Sequence, residues 1–346
     1  MKLGLQPSAA PEPSAPDRIS GLGPGCRLDD RFDITEIICS GGMSTVFKGR
    51  DLENGGRVVA IKIPHESVEA DPALFSRFQR EEEVGGKLDH PSILKFYPVK
   101  NKSRPYLVME FLEGRTLYHV LRDRKALPEA EALALASRIC EPLQYLHDHG
   151  ILHRDLKPEN IMMCNDGSLR LMDFGIARFA HARRLTFIGF APGTPHYMAP
   201  ERVNGKRGDA RTDVYCLGAV LYEMLTGVIP FNDTDNVAIM NARVTGDPEP
   251  LREYNSDISP HAEEIVLKAM ERDPDKRFAT AAEFKAALDA PAQVELTGRH
   301  KRLQRSTPLR RAMRTARMIL IWAVLPVIIQ VVLFFIIWHR LKHHGK

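Results

Sequence analysis

The sequence predicts an α+β chain in which an antiparallel sheet comes first, helices follow, and a membrane-crossing helix lies near the C-terminal end. Three observations predict it. Apolar residues alternate with period two between about residues 32 and 112. From about Leu117 the apolar spacing changes to that of helices. Met318 to Trp338 then runs 21 residues without a charge.

The elements follow in chain order. Residues 1–28 open with "MKLGLQPSAAPEPSAPD", which lacks an apolar signal core and reads as a flexible Pro/Ala/Ser-rich leader. "RFDITEIICS", "STVFKGRDL" and "RVVAIKI" are strand segments, and Asn54-Gly55-Gly56 between the last two is a hairpin turn signal. "PYLVMEFL" is a further strand. Between these strands "DPALFSRFQREEEVGGKL" has helical spacing at Leu74, Phe78 and Glu81, with Asp71 as cap and Pro72 in the first helical position. In "PEAEALALASRICEPLQYLHDHG", Leu135, Ile139, Leu143 and Leu146 form one stripe; Pro142 should kink or shorten that helix and Gly150 end it. Further helices are predicted near 213–226, 234–245, 260–271 and 280–289. The domain spans 29–290, with the change from sheet to helices near 112–113, and a basic linker covers 291–317.

At about 1.5 Å per residue, Met318–Trp338 reaches roughly 31 Å, the thickness of a bilayer core. Eight Lys and Arg lie between Arg299 and Arg317 and three follow the segment. The positive-inside rule therefore puts the folded domain in the cytoplasm and residues 339–346 outside, as a single-pass membrane protein. The basic run 299–317 should also draw anionic lipid. The +4 net charge is uneven. No acid follows Glu295, so residues 1–295 carry −7, which argues against a nucleic-acid partner. Five cysteines at wide spacing, with no Cys-x-x-Cys, argue against a disulfide framework or structural zinc.

The chemistry concentrates in "HRDLKPEN", His153–Asn160. Asp155 is a candidate base, Lys157 lies two residues on, and Asn160 is a candidate magnesium ligand. Asp173 of "DFG", eighteen residues after Asp155, is a second hard oxygen donor of the kind magnesium takes beside phosphates and water. "GTPHYMAPE" closes the segment at Glu201.

Together these strings resemble the eukaryotic-like (Hanks-type) Ser/Thr protein kinases over about residues 32–288. "SGGMSTVFKGRD" and "DFGIAR" are similar to bacterial membrane-anchored members. The resemblance implies a bilobal fold with ATP between the lobes, magnesium or manganese as cofactor, and Ser/Thr side chains of proteins as substrates. Lys62 of "VAIK" is then the lysine for the α- and β-phosphates. Glu81 holds it, and Glu82 and Glu83 fall on a solvated face. Asp155 receives the hydroxyl proton, Lys157 offsets phosphoryl charge, and Asn160 and Asp173 hold the metal. Thr194 braces the catalytic loop; Glu201 and Arg277 form a buried ion pair; Asp213 anchors backbone.

The nucleotide site implied by the resemblance comprises Cys39, Ser40, Gly41, Gly42, Met43, Ser44 and Val46 of the phosphate loop. Ala60 joins them, with Met109, Glu110 and Leu112 from the inter-lobe segment "VMEFLEG". Against Gly-x-Gly-x-x-Gly-x-Val, Cys39 and Ser44 replace the outer glycines. Cys39 should stiffen the loop or raise the ATP requirement. Arg154 and Arg178 are positioned to clamp a phosphate on Thr186 and so order the activation segment. A catalytically dead scaffold of the same fold would be expected to lack Lys62, Asp155 or Asp173, and all three are present. A homodimer is compatible with the sequence, although the apolar segment has no Gly-x-x-x-Gly face.

Overall fold

The computed structural model describes residues 22–173, 195–232 and 235–303. The alternating segments become a five-stranded antiparallel sheet in sequential order. Its strands are β1 (Arg27–Leu28), β2 (Phe32–Ser40), β3 (Ser44–Asp51), β4 (Arg57–Pro64) and β5 (Leu107–Glu110). Period two sorts their side chains. Val59, Ile61 and Ile63 of β4 join Phe32, Phe47 and Tyr106 in a small core on one face. Ala60 and Met109 face the other way and join the main core. The glycines of the predicted turn sit at φ +67° and +73°, where L side chains are strained.

Two helices follow β4: α1 (Glu66–Ala70) and α2 (Pro72–Gly85). The Asp71 carboxylate accepts from the amides of Ala73 and Leu74, and Pro72 opens the helix as predicted. After β5 come β6 (Gly114–Thr116), α3 (Leu117–Arg124) and α4 (Glu129–Asp148). β7 (Ile161–Cys164) and β8 (Leu169–Leu171) then complete a small sheet in the order β6-β7-β8. The remaining helices are α5 (Pro200–Val203), α6 (Ala210–Thr226), α7 (Asn236–Thr245), α8 (Leu251–Tyr254), α9 (Pro260–Ala269), α10 (Ala281–Asp289) and α11 (Arg299–Arg302). α6 is buried from Thr212 to Tyr222 and forms the axis of the helical lobe. A capping box between Asp209 and Thr212 starts it, satisfying amides that the first turn leaves open.

Two expectations need correction. The leader does not run to residue 28: Leu28 is buried, and Arg27 and Leu28 pair with Asp33 and Phe32. Pro142 does not shorten its helix, which runs for 20 residues in all, from Glu129 to Asp148. Pro142 is itself buried, so packing on both sides of it outweighs the lost backbone bond. The basic linker is not free at its start. Arg299 pairs with Glu264 at 3.1 Å and also with Glu271, both on or just after α9. The Thr297 hydroxyl donates to Glu264 as well. The charge of Arg299 is therefore engaged by carboxylates.

Among the described residues no helix is long and apolar enough to cross a membrane. Met318–Trp338, most of the leader and residues 304–317 lie outside the described residues, as do Arg178, Thr186 and Thr194.

Candidate active site

The candidate site draws residues from several separate segments. Lys62 projects from β4 on the face opposite Val59, Ile61 and Ile63. Its ammonium donates to Glu81 of α2 at 2.8 Å and to Asp173 at 3.3 Å. Glu81 is buried and Lys62 is largely so, whereas the Asp173 side chain is 54% exposed. Burial works against the Lys62 charge, but the two carboxylates outweigh it and hold its pKa above the ordinary lysine value. Lys62 in turn holds Asp173 below the usual aspartate range, so Asp173 presents a carboxylate to the cleft. Burial pushes Glu81 upward.

The second group lies across the cleft. Lys157 approaches Asp155 to 3.4 Å, and both side chains are half-buried. The side-chain amide of Asn160 donates to the Asp155 carbonyl at 2.8 Å. That bond uses the nitrogen end of the side chain and leaves Oδ1 of Asn160 as the oxygen it could offer a metal. The Met172 amide donates to the Asn160 carbonyl at 2.9 Å, which ties the residue before Asp173 to the other candidate ligand. Asn160 and Asp173 thus offer two oxygen donors, the set magnesium takes when phosphates and water complete its shell.

Asp213 explains how this loop keeps its shape. It is fully buried in α6 and accepts from the backbone amides of His153 at 2.9 Å and Arg154 at 2.7 Å. His147 binds the same carboxylate at 2.8 Å. Burial opposes the Asp213 charge, yet His147, His153 and the backbone donors hold its pKa below the ordinary value. Arg154 needs the support, because its φ of +62° is left-handed and strained for a residue with a side chain. Below the loop, Arg277 makes two bonds of 2.8 Å to Glu201, and Thr212 donates to the same carboxylate.

The chain matches the protein kinase domain family over residues 32–288. The chain belongs to the protein kinase family. Within it the chain is of the Hanks-type bacterial Ser/Thr group. It is 39% identical over 268 residues to serine/threonine-protein kinase PknB of Mycolicibacterium smegmatis, covering 75% of this chain and 43% of that one. It is 38% identical over 267 residues to the PknB of Mycobacterium leprae, at 75% and 43% coverage. A probable serine/threonine-protein kinase of Corynebacterium efficiens is 40% identical over 273 residues, at 76% and 41%. The chain therefore spans less than half the length of these curated relatives.

The predicted phosphate loop is the turn between β2 and β3. Cys39 lies inside β2 opposite Val46, beside an irregularity in register between Ile37 and Cys39. Its φ is not positive, so a side chain is tolerated there. A Cβ on Gly41 would meet only the Ser44 carbonyl at 3.8 Å, and on Gly42 nothing within 4 Å. The loop's own packing therefore does not require the two glycines, and they leave open space beside the backbone. The Ser40 hydroxyl bonds Thr45 at 3.0 Å, and Thr45 bonds His65 at 3.1 Å. The Met43 carbonyl accepts from the His65 amide at 2.9 Å. His65 and Thr45 brace the loop from behind, a contact that no motif announces.

Burial and the nearby Asp173 push the Cys39 thiol above its ordinary pKa. The thiol therefore stays protonated and poorly nucleophilic. Cys39→Gly is expected to keep KM for ATP unchanged or lower it by up to about threefold, since Gly adds freedom at a position that does not need a side chain. A loss of activity in steady-state kinetics would show that another residue occupies the first glycine position.

Ala60 and Met109 are buried opposite one another on β4 and β5. Val46, Leu112 and Met172 pack half-buried against the same core. The Glu110 amide donates to the Lys95 carbonyl, and the Glu110 side chain engages Arg170 at 3.3 Å.

Proposed function

We propose that the protein is an ATP- and magnesium-dependent Ser/Thr protein kinase tethered to the membrane. The observation that carries this reading is the double engagement of Lys62 by Glu81 and Asp173, facing the linked set Asp155, Lys157 and Asn160.

Lys62 orients the α- and β-phosphates of ATP. Asp155 accepts a hydrogen bond from the substrate hydroxyl and takes its proton as the oxygen bonds to the γ-phosphorus. The bond from that phosphorus to the β–γ bridging oxygen breaks, and ADP leaves with the electron pair. Lys157 faces the transferring group and offsets its charge. Magnesium, when bound through Asn160 and Asp173, supplies charge neutralisation on the phosphate oxygens. The work is positioning and electrostatics, because the transition state is loose and highly charged.

Thr186 phosphorylation and the membrane anchor are parts of the same proposal. A basic cluster supports the first. Burial pushes the Arg154 guanidinium down to about 10, and Arg202, Arg207 and Arg80 add repulsion. A phosphate delivered there would relieve that repulsion. Support for the anchor is the uncharged stretch 318–338 with its basic N-terminal flank.

One experiment tests these together. Membranes carrying the full chain are washed with alkaline carbonate, incubated with ATP, magnesium and an acceptor protein, and mapped for phosphopeptides. The washed pellet should retain the chain and place phosphate on serine and threonine, Thr186 included. Release of the chain by carbonate would overturn the anchor. Strong transfer with no phosphate in 176–194 would overturn the role of Thr186. Phosphate on tyrosine alone would overturn the substrate class.

A further inference from the structure

Glu81 and Glu82 are neighbours on α2, about 100° apart around the helix. The sequence places Glu82 on a solvated acidic face together with Glu83. Glu83 is there: its side chain is exposed and pairs with Lys87 at 2.8 Å. Glu82 is not. It is half-buried against Lys102, from the loop before β5, and the two form an ion pair.

Lys102 makes more than that one contact. Its side chain is only 13% exposed. It also donates to the Tyr106 carbonyl at 2.6 Å, and its ammonium sits 4.9 Å from the Tyr106 ring centre. Tyr106 is fully buried, and its hydroxyl donates to Asp29 at 2.6 Å. Asp29 accepts from the Ser103 amide as well, from a backbone at φ +52°. The turn after β1, the loop at 102–106 and α2 are thus joined behind the sheet.

α2 depends on such a tie. Along its 14 residues, Phe78 is the large apolar side chain that is buried among those described. α4, by contrast, buries Leu133, Leu135, Ile139, Leu143 and Leu146. A stripe as narrow as that of α2 leaves rotation about the helix axis weakly determined by packing. Rotation is what decides whether Glu81 reaches Lys62.

We propose that Lys102 is a positioning residue for phosphoryl transfer: by holding Glu82 it sets the rotation of α2 at which Glu81 engages Lys62. The proposal rests on the kinase reading above. The alternative is that Lys102 only stabilises the fold.

The test is steady-state kinetics on the full chain for wild type, Lys102→Met, Lys102→Arg, Glu82→Gln, Glu81→Gln and the double variant Lys102→Met/Glu81→Gln. Loss of one charge-assisted bond that orders the site corresponds to about a tenfold fall in kcat. Lys102→Met and Glu82→Gln should each show it, and Lys102→Arg should recover most of it. In the Glu81→Gln background, Lys102→Met should cost no more than about twofold further, because the pair it serves is already broken. Losses that multiply across the two backgrounds would overturn the proposal, since a merely structural role acts independently of Glu81. So would a Lys102→Met variant that keeps wild-type kcat. A wild type that transfers no phosphate would instead remove the kinase reading on which the proposal stands.

Discussion

Asp155→Asn is expected to lower kcat by about 10³-fold while the unfolding temperature moves by no more than a few degrees. The carboxylate is a half-exposed group whose partners include Lys157 and Asn160. Asparagine keeps the size and the hydrogen-bonding oxygen but is not a base. The backbone of the loop stays anchored, because Asp213 holds it through the amides of His153 and Arg154. KM for ATP should change little, since the nucleotide phosphates are assigned to Lys62 and the phosphate loop. The measurement is kcat and KM beside a thermal melt. A residual kcat above a tenth of wild type would remove Asp155 from the role of base.

Arg277→Met is expected to act on stability instead. The Arg277 side chain is fully buried and bonds Glu201 twice at 2.8 Å. It also donates to the carbonyls of Glu271 and Arg211 at 2.7 and 2.9 Å. Removing it leaves Glu201 as a buried charge held by Thr212 and a backbone amide but with no countercharge from Arg277. Breaking such a pair from one side costs roughly 3–5 kcal/mol. For a domain of this size that corresponds to a fall of about 10 °C in Tm. A melt within about 3 °C of wild type would contradict it.

The same pair gives stability a pH dependence. Burial raises the Glu201 pKa, but Arg277 outweighs it and the net shift is below the ordinary 4.5. A carboxylate depressed in the folded state contributes stability fully above its unfolded value and loses it as pH falls through the folded one. Wild type should therefore lose stability as pH drops below about 4.5, and Arg277→Met should lose less over that interval.

The elements that local chemistry dictates were legible in the sequence. Period-two alternation set β2, β3 and β4, and the Asp71-Pro72 cap set the start of α2. Asp155, Asn160 and Asp173 sit in strings whose residue types and spacing point to them, and the family resemblance adds Lys62 and Glu81; in the structure Lys62 joins Glu81 and Asp173, and Asn160 joins Asp155. What escaped was decided by distant partners. Nothing near Glu82 points to Lys102, twenty residues on in a loop without periodicity. His65 braces the phosphate loop through Thr45, also twenty positions away. Met172 contributes through its backbone amide, which no residue type reveals. Pro142 misled because local geometry forbids what burial in α4 outweighs. Leu28 was hidden in a polar leader, although the small core beside Phe32 and Tyr106 claims it.

The most direct test of the account is transfer of the γ-phosphate of labelled ATP to a protein acceptor, with magnesium, by the wild type and by Lys62→Met side by side. The account predicts label on serine and threonine from the wild type and none above background from Lys62→Met. No transfer by the wild type with either magnesium or manganese, or equal transfer by the two proteins, would contradict it.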